Sequence, residues 1–338
     1  MTDRNHADAR GRGQRALVES AFLAALAVVI ILLAEYAPVI GIGAAFLGPV
    51  PVAVVVSRHG LKWGVLSAVV ATLISMAFLN PIVALGAGLV LVLGGLSLGY
   101  GIMKKLDAQK TLLLMTIAAI FIAAVNVLLS VIALGLAPEA LLRQATESMV
   151  SGMEQGAQLA AKLTGKPFDA AEWTSTRQAM ITSLSETLRQ TIVGLLVTAA
   201  AIHAYLNYTV SGAVLRRFGV PVNELPPFSR WIFPPWFGLL FFLASTVPAA
   251  FANQLAAYPL IRAVVMNLIA GTSFFMLFEG LSLLAYYLKE AKMPGFLIVF
   301  LSIYIVTSPS FSFVAQLCGA LDAMMDLRRI RWGNLEDL

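Results

Sequence analysis

Five polar residues lie inside long apolar segments of the chain, where side chains with binding or proton-transfer chemistry are rare. They are Glu279, His203, Asn207, Asn126 and Asn267. An ionisable group at membrane depth is costly and commonly marks the path of a solute or an ion. These residues are therefore candidates for solute binding or coupling. The alternative is structural: the amides would join neighbouring helices, and the Glu279 carboxyl and the His203 ring would be satisfied packing groups.

The position of Glu279 within its apolar segment, 258–288, predicts where its side chain points. Lys289 marks the cytoplasmic end of this segment, and Glu279 lies about 15 Å from it along a helix. A carboxylate facing lipid at that depth would be expensive, so Glu279 is expected to face the helix bundle. Gly280 beside it permits the close approach of another helix.

One short motif suggests catalysis. Gly95-Leu-Ser97-Leu-Gly99 matches the G-x-S-x-G pattern of serine hydrolases, and His203 is a conceivable base for Ser97. The motif lies in an apolar helical segment rather than in a strand–turn–helix, so helix packing is the favoured interpretation. The chain has one cysteine, Cys318, and no metalloprotease, Walker A or dinucleotide motif. The sequence therefore predicts a protein that is not an enzyme and has no cofactor or metal site.

Composition indicates the elements that carry these residues. The chain of 338 residues is 59% apolar and only 12% charged, whereas soluble domains have about 25% charged residues. The fold class predicted is all-α, a polytopic transmembrane helix bundle of 8–10 spans. Whether 294–327 is one kinked helix or two spans stays open. The apolar segments are 16–37, 39–57, 61–79, 82–103, 111–136, 190–215, 236–252, 258–288, 294–308 and 310–327.

Two stretches carry a family resemblance. The first is the apolar run with Pro49 and Pro51, which is predicted to bend, followed by the basic turn at Arg58 and Gly60. The second is the C-terminal segment 319–328. Both resemble the YybS-like family of uncharacterised bacterial membrane proteins, over most of the chain. That family is similar, mainly in the first half of the chain, to the substrate-binding S components of energy-coupling-factor vitamin transporters.

The resemblance implies a small-solute binding or transport module without a catalytic residue. In S components, small residues on the first helix form the docking face for a membrane coupling subunit. Ala21 and Ala25 would occupy that face here, and the alternative for them is ordinary packing within the chain.

The apolar segments divide the chain into four parts. Residues 1–15 are polar and basic and are predicted to be disordered. Residues 16–217 form an S-component-like bundle, which includes a polar excursion at 137–189 predicted as an external amphipathic helical hairpin. The Pro-rich stretch 218–235 is a predicted cytoplasmic linker, and residues 236–338 form a C-terminal bundle.

The basic residues predict the orientation. Most of the 23 lysines and arginines fall in loops on the side that carries the N terminus. The positive-inside rule then places both termini in the cytoplasm, with the chain crossing the bacterial cytoplasmic membrane several times. Because these residues lie in short loops, the net charge of +5 is no sign of nucleic-acid binding.

The C-terminal segment carries its own charge pattern. Asp322, Asp326 and Arg329 follow i, i+4, i+7 spacing and would share one helix face. One interpretation is a helix end stabilised by an aspartate–arginine pair and anchored at the inner membrane surface. The other is a docking patch for a cytoplasmic subunit.

Three functions therefore follow from the sequence. The leading hypothesis is a module that binds or transports a small, fairly apolar solute, in contact with the lipid bilayer and with a membrane or cytoplasmic coupling subunit. The alternative is a membrane scaffold or interaction protein without a solute. An intramembrane enzyme ranks last.

Overall fold

The computed structural model describes residues 2–135, 137–165 and 167–330, and within these ranges the chain forms fourteen α-helices and no strand. This confirms the all-α fold. A π-helical turn at Val90–Gly94 separates α5 from α6, and a 3-10 turn at Phe228–Arg230 precedes α10. The helices are α1 Thr2–Tyr36, α2 Pro38–Leu47, α3 Pro49–His59, α4 Leu61–Ser75, α5 Pro81–Leu89, α6 Gly95–Met103, α7 Ala108–Leu134, α8 Pro138–Thr164, α9 Ala170–Arg217, α10 Pro235–Ala250, α11 Ala252–Ala257, α12 Pro259–Glu290, α13 Gly295–Thr307 and α14 Pro309–Met325.

Five stretches in the described part of the chain are long and apolar enough to cross a membrane, which supports a polytopic membrane protein. A sixth span results if α13 and α14, which meet at 108°, count as one broken span. These five or six are fewer than the 8–10 spans predicted, because several apolar segments form shorter helices. For example, α4 has 15 residues, whereas a span needs about 20. The five long stretches are Gly13–Tyr36, Pro81–Met103, Ala108–Ala133, Ala170–Arg217 and Pro259–Glu290.

The start of the chain differs from the prediction of disorder for residues 1–15. Helix α1 begins at Thr2 and continues without a break into the apolar part of the same helix. Several of residues 2–15 are alanine, arginine or glutamine, which are good helix formers. An apolar helix that is already formed therefore extends through them, because adding a residue to a helix is easier than starting one.

The polar excursion forms a helical hairpin from α8 and the first part of α9. Ser185 Oγ donates a hydrogen bond to Thr146 Oγ1 (3.2 Å) between the two helices. Gly165, with a φ of 69°, ends α8 in the left-handed conformation. The Asp169 carboxylate then accepts hydrogen bonds from the backbone N–H groups of Ala171 and Glu172 and caps α9.

The chain divides into two units. Unit one comprises Met1–Leu136 and Ala199–Leu225, and unit two comprises Ala137–Thr198 and Pro226–Leu338. The hairpin thus groups with the C-terminal helices, whereas the sequence placed it in the N-terminal bundle. The physical reason is a contact between residues far apart in the sequence: the Asn267 side chain of α12 bonds to the backbone of α9 at Gln190 and Gly194.

The centre of unit one is α3. Its residues 49–56 are all buried. The two prolines lie where the bend is predicted, at the junction of α2 and α3: α2 ends at Leu47, Gly48 keeps a helical conformation with a φ of −46°, and Pro49 is the first residue of α3. Gly95 and Gly99 of α6 pack directly against the side chains of Val52 and Val56, so α3 and α6 lie in close contact.

Unit two contains a core between α10, α12 and α14. Phe241, Met276, Ala320 and Ala323 are buried together, and several phenylalanines pack against them. A Cβ added at Gly280 of α12 would overlap the backbone of α14 at Ala315. Backbone contact of this kind needs glycine, because any side chain would force the two helices apart.

The predicted linker 218–235 has two parts: residues up to 225 belong to unit one, and residues from 226 onwards belong to unit two. In unit one, the Tyr208 hydroxyl donates to the Asn223 carbonyl (2.5 Å), and Asn223 Nδ2 donates to the Leu106 carbonyl (2.7 Å). In unit two, Trp231 Nε1 donates to the Pro226 carbonyl (2.9 Å). The stretch is therefore fixed by hydrogen bonds on both sides of residue 225.

Candidate functional site

The carboxyl groups of Glu279 and Asp322 meet in unit two, where α12 and α14 cross. Glu279 and Asp322 have no exposed surface. Gly319 makes the crossing possible, since a Cβ there would overlap the Met276 carbonyl and press on Gly280 of α12. Gly280 and Gly319 therefore bring two acidic residues from different helices into one buried site.

A turn after α14 brings the third member of the site, Arg328. Helix α14 ends at Met325, and Asp326 adopts the left-handed conformation with a φ of 50°. Aspartate is among the few non-glycine residues that tolerate this conformation. The Asp326 carboxylate then accepts a hydrogen bond from the Ile330 N–H (2.9 Å). The reversal directs Arg328 back towards α12 and leaves 5% of that residue exposed.

Arg328 is the donor at the centre of the site. Its Nε and Nη2 both donate to Asp322 Oδ2, at 2.9 and 2.6 Å, and Nη2 also donates to Glu279 Oε1 at 3.0 Å. A guanidinium has five N–H groups in a rigid plane, and it is the side chain best suited to bridge two carboxylates. We call Glu279, Asp322 and Arg328 the ionic cluster.

The same guanidinium bonds to the segment before α10. Nη1 donates to the Ser229 carbonyl (2.9 Å) and to Ser282 Oγ (2.7 Å), and Nη2 donates to the Trp231 carbonyl (2.6 Å). The Ser282 hydroxyl is within hydrogen-bonding distance of the Phe228 carbonyl oxygen (2.6 Å) and of the Trp231 carbonyl oxygen (3.0 Å), to which it can donate. Arg328 therefore joins α12, α14 and the 228–231 segment at a single point.

Glu279 also holds the start of α10. Its Oε2 accepts a hydrogen bond from the Phe233 N–H at 2.7 Å. The Glu279 and Asp322 carboxyl groups, in addition, accept from the same nitrogen, Arg328 Nη2, at 3.0 and 2.6 Å. Asp322 Oδ1 is buried and has no hydrogen-bond partner within the described part of the chain. The cluster thus contains two acidic groups, one basic group and one oxygen that lacks a donor.

The arrangement of the ionic cluster supports a structural role. A buried ion pair is strongly destabilised when one partner is lost, because the remaining charge has no compensation. The described residues include no group of three His, Cys, Asp or Glu side chains that would hold a metal ion. The hydrogen bonds of the ionic cluster hold the 326–330 turn against α12 and the 228–231 segment.

Asn267, also in unit two, uses its whole amide within the protein. Its Oδ1 accepts from the Gly194 N–H (2.9 Å), and its Nδ2 donates to the carbonyls of Gln190 and Ala263, both at 2.7 Å. Gly194 packs on the backbone of α12, where a Cβ would overlap the Asn267 carbonyl. The amide therefore joins α9 to α12, with both of its N–H donors and its oxygen engaged within the protein.

The other three candidates for solute binding lie in unit one. Asn207 is buried, and its Oδ1 accepts from Ser211 Oγ at 3.3 Å. Asn126 is half-buried, with its Oδ1 against Gly86 of α5. His203 is half-buried against the Phe46 ring at 5.8 Å between centroids. Asn207 is thus engaged within its own helix, whereas the His203 ring and the Asn126 amide have no side-chain hydrogen bond to the residues that the structure describes.

The candidates for partner docking separate into exposed and buried residues. Ala21 and Ala25 are exposed on α1. Arg329 is exposed, whereas Asp326 is buried. The predicted common face of Asp322, Asp326 and Arg329 does not form, because α14 ends before Asp326 and helical spacing no longer applies. The arginine that meets Asp322 is Arg328, so the predicted aspartate–arginine pair exists with a different partner.

Arg328 is the functional residue that the sequence interpretation missed. Helical spacing pointed to Arg329 because it assumed that α14 continues past Met325. One signal was present: Asp326 follows an apolar helix and precedes two arginines, and aspartate favours helix ends over helix interiors.

The long apolar helices and the helical architecture define the class: a polytopic helical membrane protein. The model of a family described as "Predicted membrane protein (DUF2232)" matches residues 25–323, and the chain belongs to this family. The chain is also similar to the uncharacterized protein YybS of Bacillus subtilis (strain 168). The two are 24% identical over 325 residues, which cover 93% of this chain and 97% of YybS. No solved structure matches the chain.

Proposed function

We propose that the chain is a membrane scaffold or interaction protein of the bacterial cytoplasmic membrane, without catalytic activity and without a solute site in unit two. One observation carries this proposal. The polar side chains of unit two that the sequence marks for solute binding, Glu279 and Asn267, are engaged by groups of the protein itself.

A solute site needs polar groups that converge on an accessible cavity. The Asn267 amide would have to give up bonds that join α9 to α12, and leaving a buried polar group unsatisfied costs about 1–3 kcal/mol. Glu279 would have to leave the Arg328 guanidinium, and separating a buried ion pair costs more. Both residues therefore favour a closed and rigid unit two.

Ser97 supports the absence of catalysis. Its Oγ donates to the carbonyl of Gly94, in the π-helical turn just before α6, at 3.0 Å, and the residue is buried. The glycines on either side, Gly95 and Gly99, pack against α3. This is the behaviour of a helix-packing motif. A nucleophile would instead present its hydroxyl to a base and a substrate.

The proposed partner surface is the exposed face of α1 at Ala21 and Ala25. These residues are four positions apart and lie on one side of the helix. Small side chains permit a second transmembrane helix to approach closely, and packing is what holds helices together in lipid. The partner of this face is therefore a membrane subunit.

The test is purification of the tagged, full-length protein from native membranes in mild detergent, followed by mass spectrometry. We expect a membrane subunit to co-purify with the wild type and to fall about tenfold, which is ~1.4 kcal/mol, in the double variant Ala21→Leu/Ala25→Leu. The matched control is Ala124→Leu, at another exposed alanine in an apolar helix. The same set of co-purifying proteins in all three preparations would contradict the proposal.

A solute module in unit one is a second candidate. It is favoured by two half-buried polar side chains, His203 and Asn126, which have no side-chain hydrogen bond within the described ranges, and by the resemblance to S components. The variants His203→Leu and Asn126→Leu decide between the two candidates. Under the scaffold proposal they leave the small-molecule content of the purified protein unchanged, whereas a solute module loses its ligand.

The proposed topology has both termini in the cytoplasm and residues 137–189 outside. The protein for labelling carries Cys318→Ser, because Cys318 is the one cysteine of the chain and the introduced cysteine must be the single site that can react. A single cysteine at Gly165, in the α8–α9 turn, should then react with an impermeant reagent added outside the cell. A cysteine at Lys105 should be spared, and the reverse pattern would overturn the orientation.

A further inference from the structure

The charges of the ionic cluster do not balance. Two carboxyl groups, Glu279 and Asp322, converge on the single guanidinium of Arg328, and all three side chains are fully buried. If both acids were ionised, the site would carry one uncompensated negative charge. Burying an unpaired charge is expensive, and a protein avoids it by pairing or by changing the protonation state of the group.

The charged groups on the elements around the cluster do not supply the missing positive charge. Lys289 of α12 is exposed and lies 3.3 Å from Ser229 Oγ, and Arg230 of the 3-10 turn is exposed. Asp326, after α14, is acidic and accepts from the Ile330 N–H. Helix α10 contains no charged residue.

The unpartnered oxygen shows where a proton fits. Asp322 Oδ1 is buried and faces no donor among the described residues, while the Glu279 and Asp322 carboxyl groups converge on the same nitrogen, Arg328 Nη2, at 3.0 and 2.6 Å. Two ionised carboxylates are both acceptors only and cannot bond to each other. A carboxylic acid has one O–H donor, so a single proton turns this contact from repulsive to attractive.

We propose that Glu279 and Asp322 form a proton-binding site, in which the two carboxyl groups share one proton at neutral pH. The proton comes from water and binds to one carboxylate, and the O–H formed donates to the other. The site then carries one negative charge against one guanidinium and is neutral. The proton belongs to the pair, since two interacting acids titrate together.

Proton binding has a consequence for the C-terminal turn. Arg328 holds residues 326–330 in place through the cluster. Loss of the proton at alkaline pH restores the repulsion between the two acids and weakens this attachment. The site therefore couples proton binding to the docking of the turn, and this inference does not depend on the partner or solute of the protein.

The test is infrared spectroscopy of the full-length protein in lipid nanodiscs, read at the C=O stretch of protonated carboxyl groups. We expect the wild type to show one buried protonated carboxyl at neutral pH, which disappears on titration to alkaline pH equally in sodium and potassium buffers. Glu279→Gln and Asp322→Asn should each lose this signal, because an amide N–H replaces the shared proton. Glu290→Gln, at an exposed position at the end of α12, should keep it.

Several results would overturn the proposal. One is a wild type without a buried protonated carboxyl at neutral pH. Another is a signal that stays in both variants, and a third is one that responds to sodium rather than to pH. If the variants do not fold, the wild-type titration alone decides. A second readout is proteolysis within 326–330 at alkaline pH, which should accelerate in the wild type and not in Glu279→Gln.

Discussion

Replacing Arg328 by methionine should be among the most damaging single substitutions in unit two. The five N–H groups of the side chain make six hydrogen-bonding contacts, three of them to the carboxylates of Glu279 and Asp322. A hydrogen bond with a charged partner contributes about 1.5–3 kcal/mol, so two acids that each lose the guanidinium as a donor correspond to a loss of roughly 3–6 kcal/mol. Breaking a buried ion pair by removing one partner costs about 3–5 kcal/mol, which is the loss in stability that we expect.

The assay is the thermal midpoint of the tagged protein in detergent, followed by size-exclusion chromatography after heating. The matched control is Arg329→Met, because Arg329 is the neighbouring residue, carries the same charge and is exposed. Exposed substitutions of this kind change stability by about 0.5 kcal/mol or less. The combination of Arg328→Met with Glu279→Gln and Asp322→Asn should recover much of the loss, because it removes the unpaired charges. Equal effects of the two arginine substitutions would refute the role assigned to Arg328.

Three further predictions concern helix packing and helix ends. Gly319→Ala should destabilise unit two by about 1–3 kcal/mol, because the added Cβ overlaps the backbone of α12. Gly295 has open space around it, so the control variant Gly295→Ala should not destabilise the protein. The thermal midpoints of the two variants measure this difference. Gly156→Ala in α8 also meets nothing and should stabilise the hairpin by about 0.5–1 kcal/mol, seen as slower proteolysis. The Asp107 carboxylate caps α7 by accepting a hydrogen bond from the Lys110 N–H. A hydrogen bond with the Lys110 side chain lowers the pKa of the Asp107 carboxyl. The stability that Asp107 contributes is therefore present above the ordinary aspartate pKa and is lost as the pH falls. Asp107→Asn should keep the cap and remove this acid dependence in melts at several pH values, so a variant with unchanged acid sensitivity would contradict this role.

The helical class and the interior position of Glu279 follow from local sequence. A low charged fraction and long apolar segments require helices, because a backbone in lipid must satisfy its hydrogen bonds internally. A carboxylate that faces lipid has a high free-energy cost, which predicts that Glu279 points into the helix bundle, and the structure confirms that Glu279 is buried. Gly280 beside it was expected to admit another helix, and α14 takes that place.

The partner of Glu279 does not follow from local sequence. Arg328 lies 49 positions further along the chain, and it reaches the site only because Asp326 reverses the backbone after α14. The prediction assumed that helical spacing continues past residue 326, and it therefore assigned Arg329 to the face of Asp322. A left-handed residue that is not glycine has no strong sequence signal, so a turn that depends on one such residue is difficult to predict.

The grouping of the helices depends on contacts that are distant in sequence. Asn267 joins α12 to the backbone of α9 at Gln190, 77 positions away, and no local pattern encodes that pairing. The number of spans was overestimated for a related reason. Apolar composition identifies segments that avoid water, and it does not say whether a segment such as α4 reaches across the bilayer.

The most direct test of the proposed function is native mass spectrometry of the wild-type protein released from lipid nanodiscs. A scaffold or interaction protein without a solute should appear as the chain alone, with lipids, or with protein subunits. The result that would contradict the account is a small molecule bound at a fixed ratio to the wild type and absent from Asn126→Leu or His203→Leu.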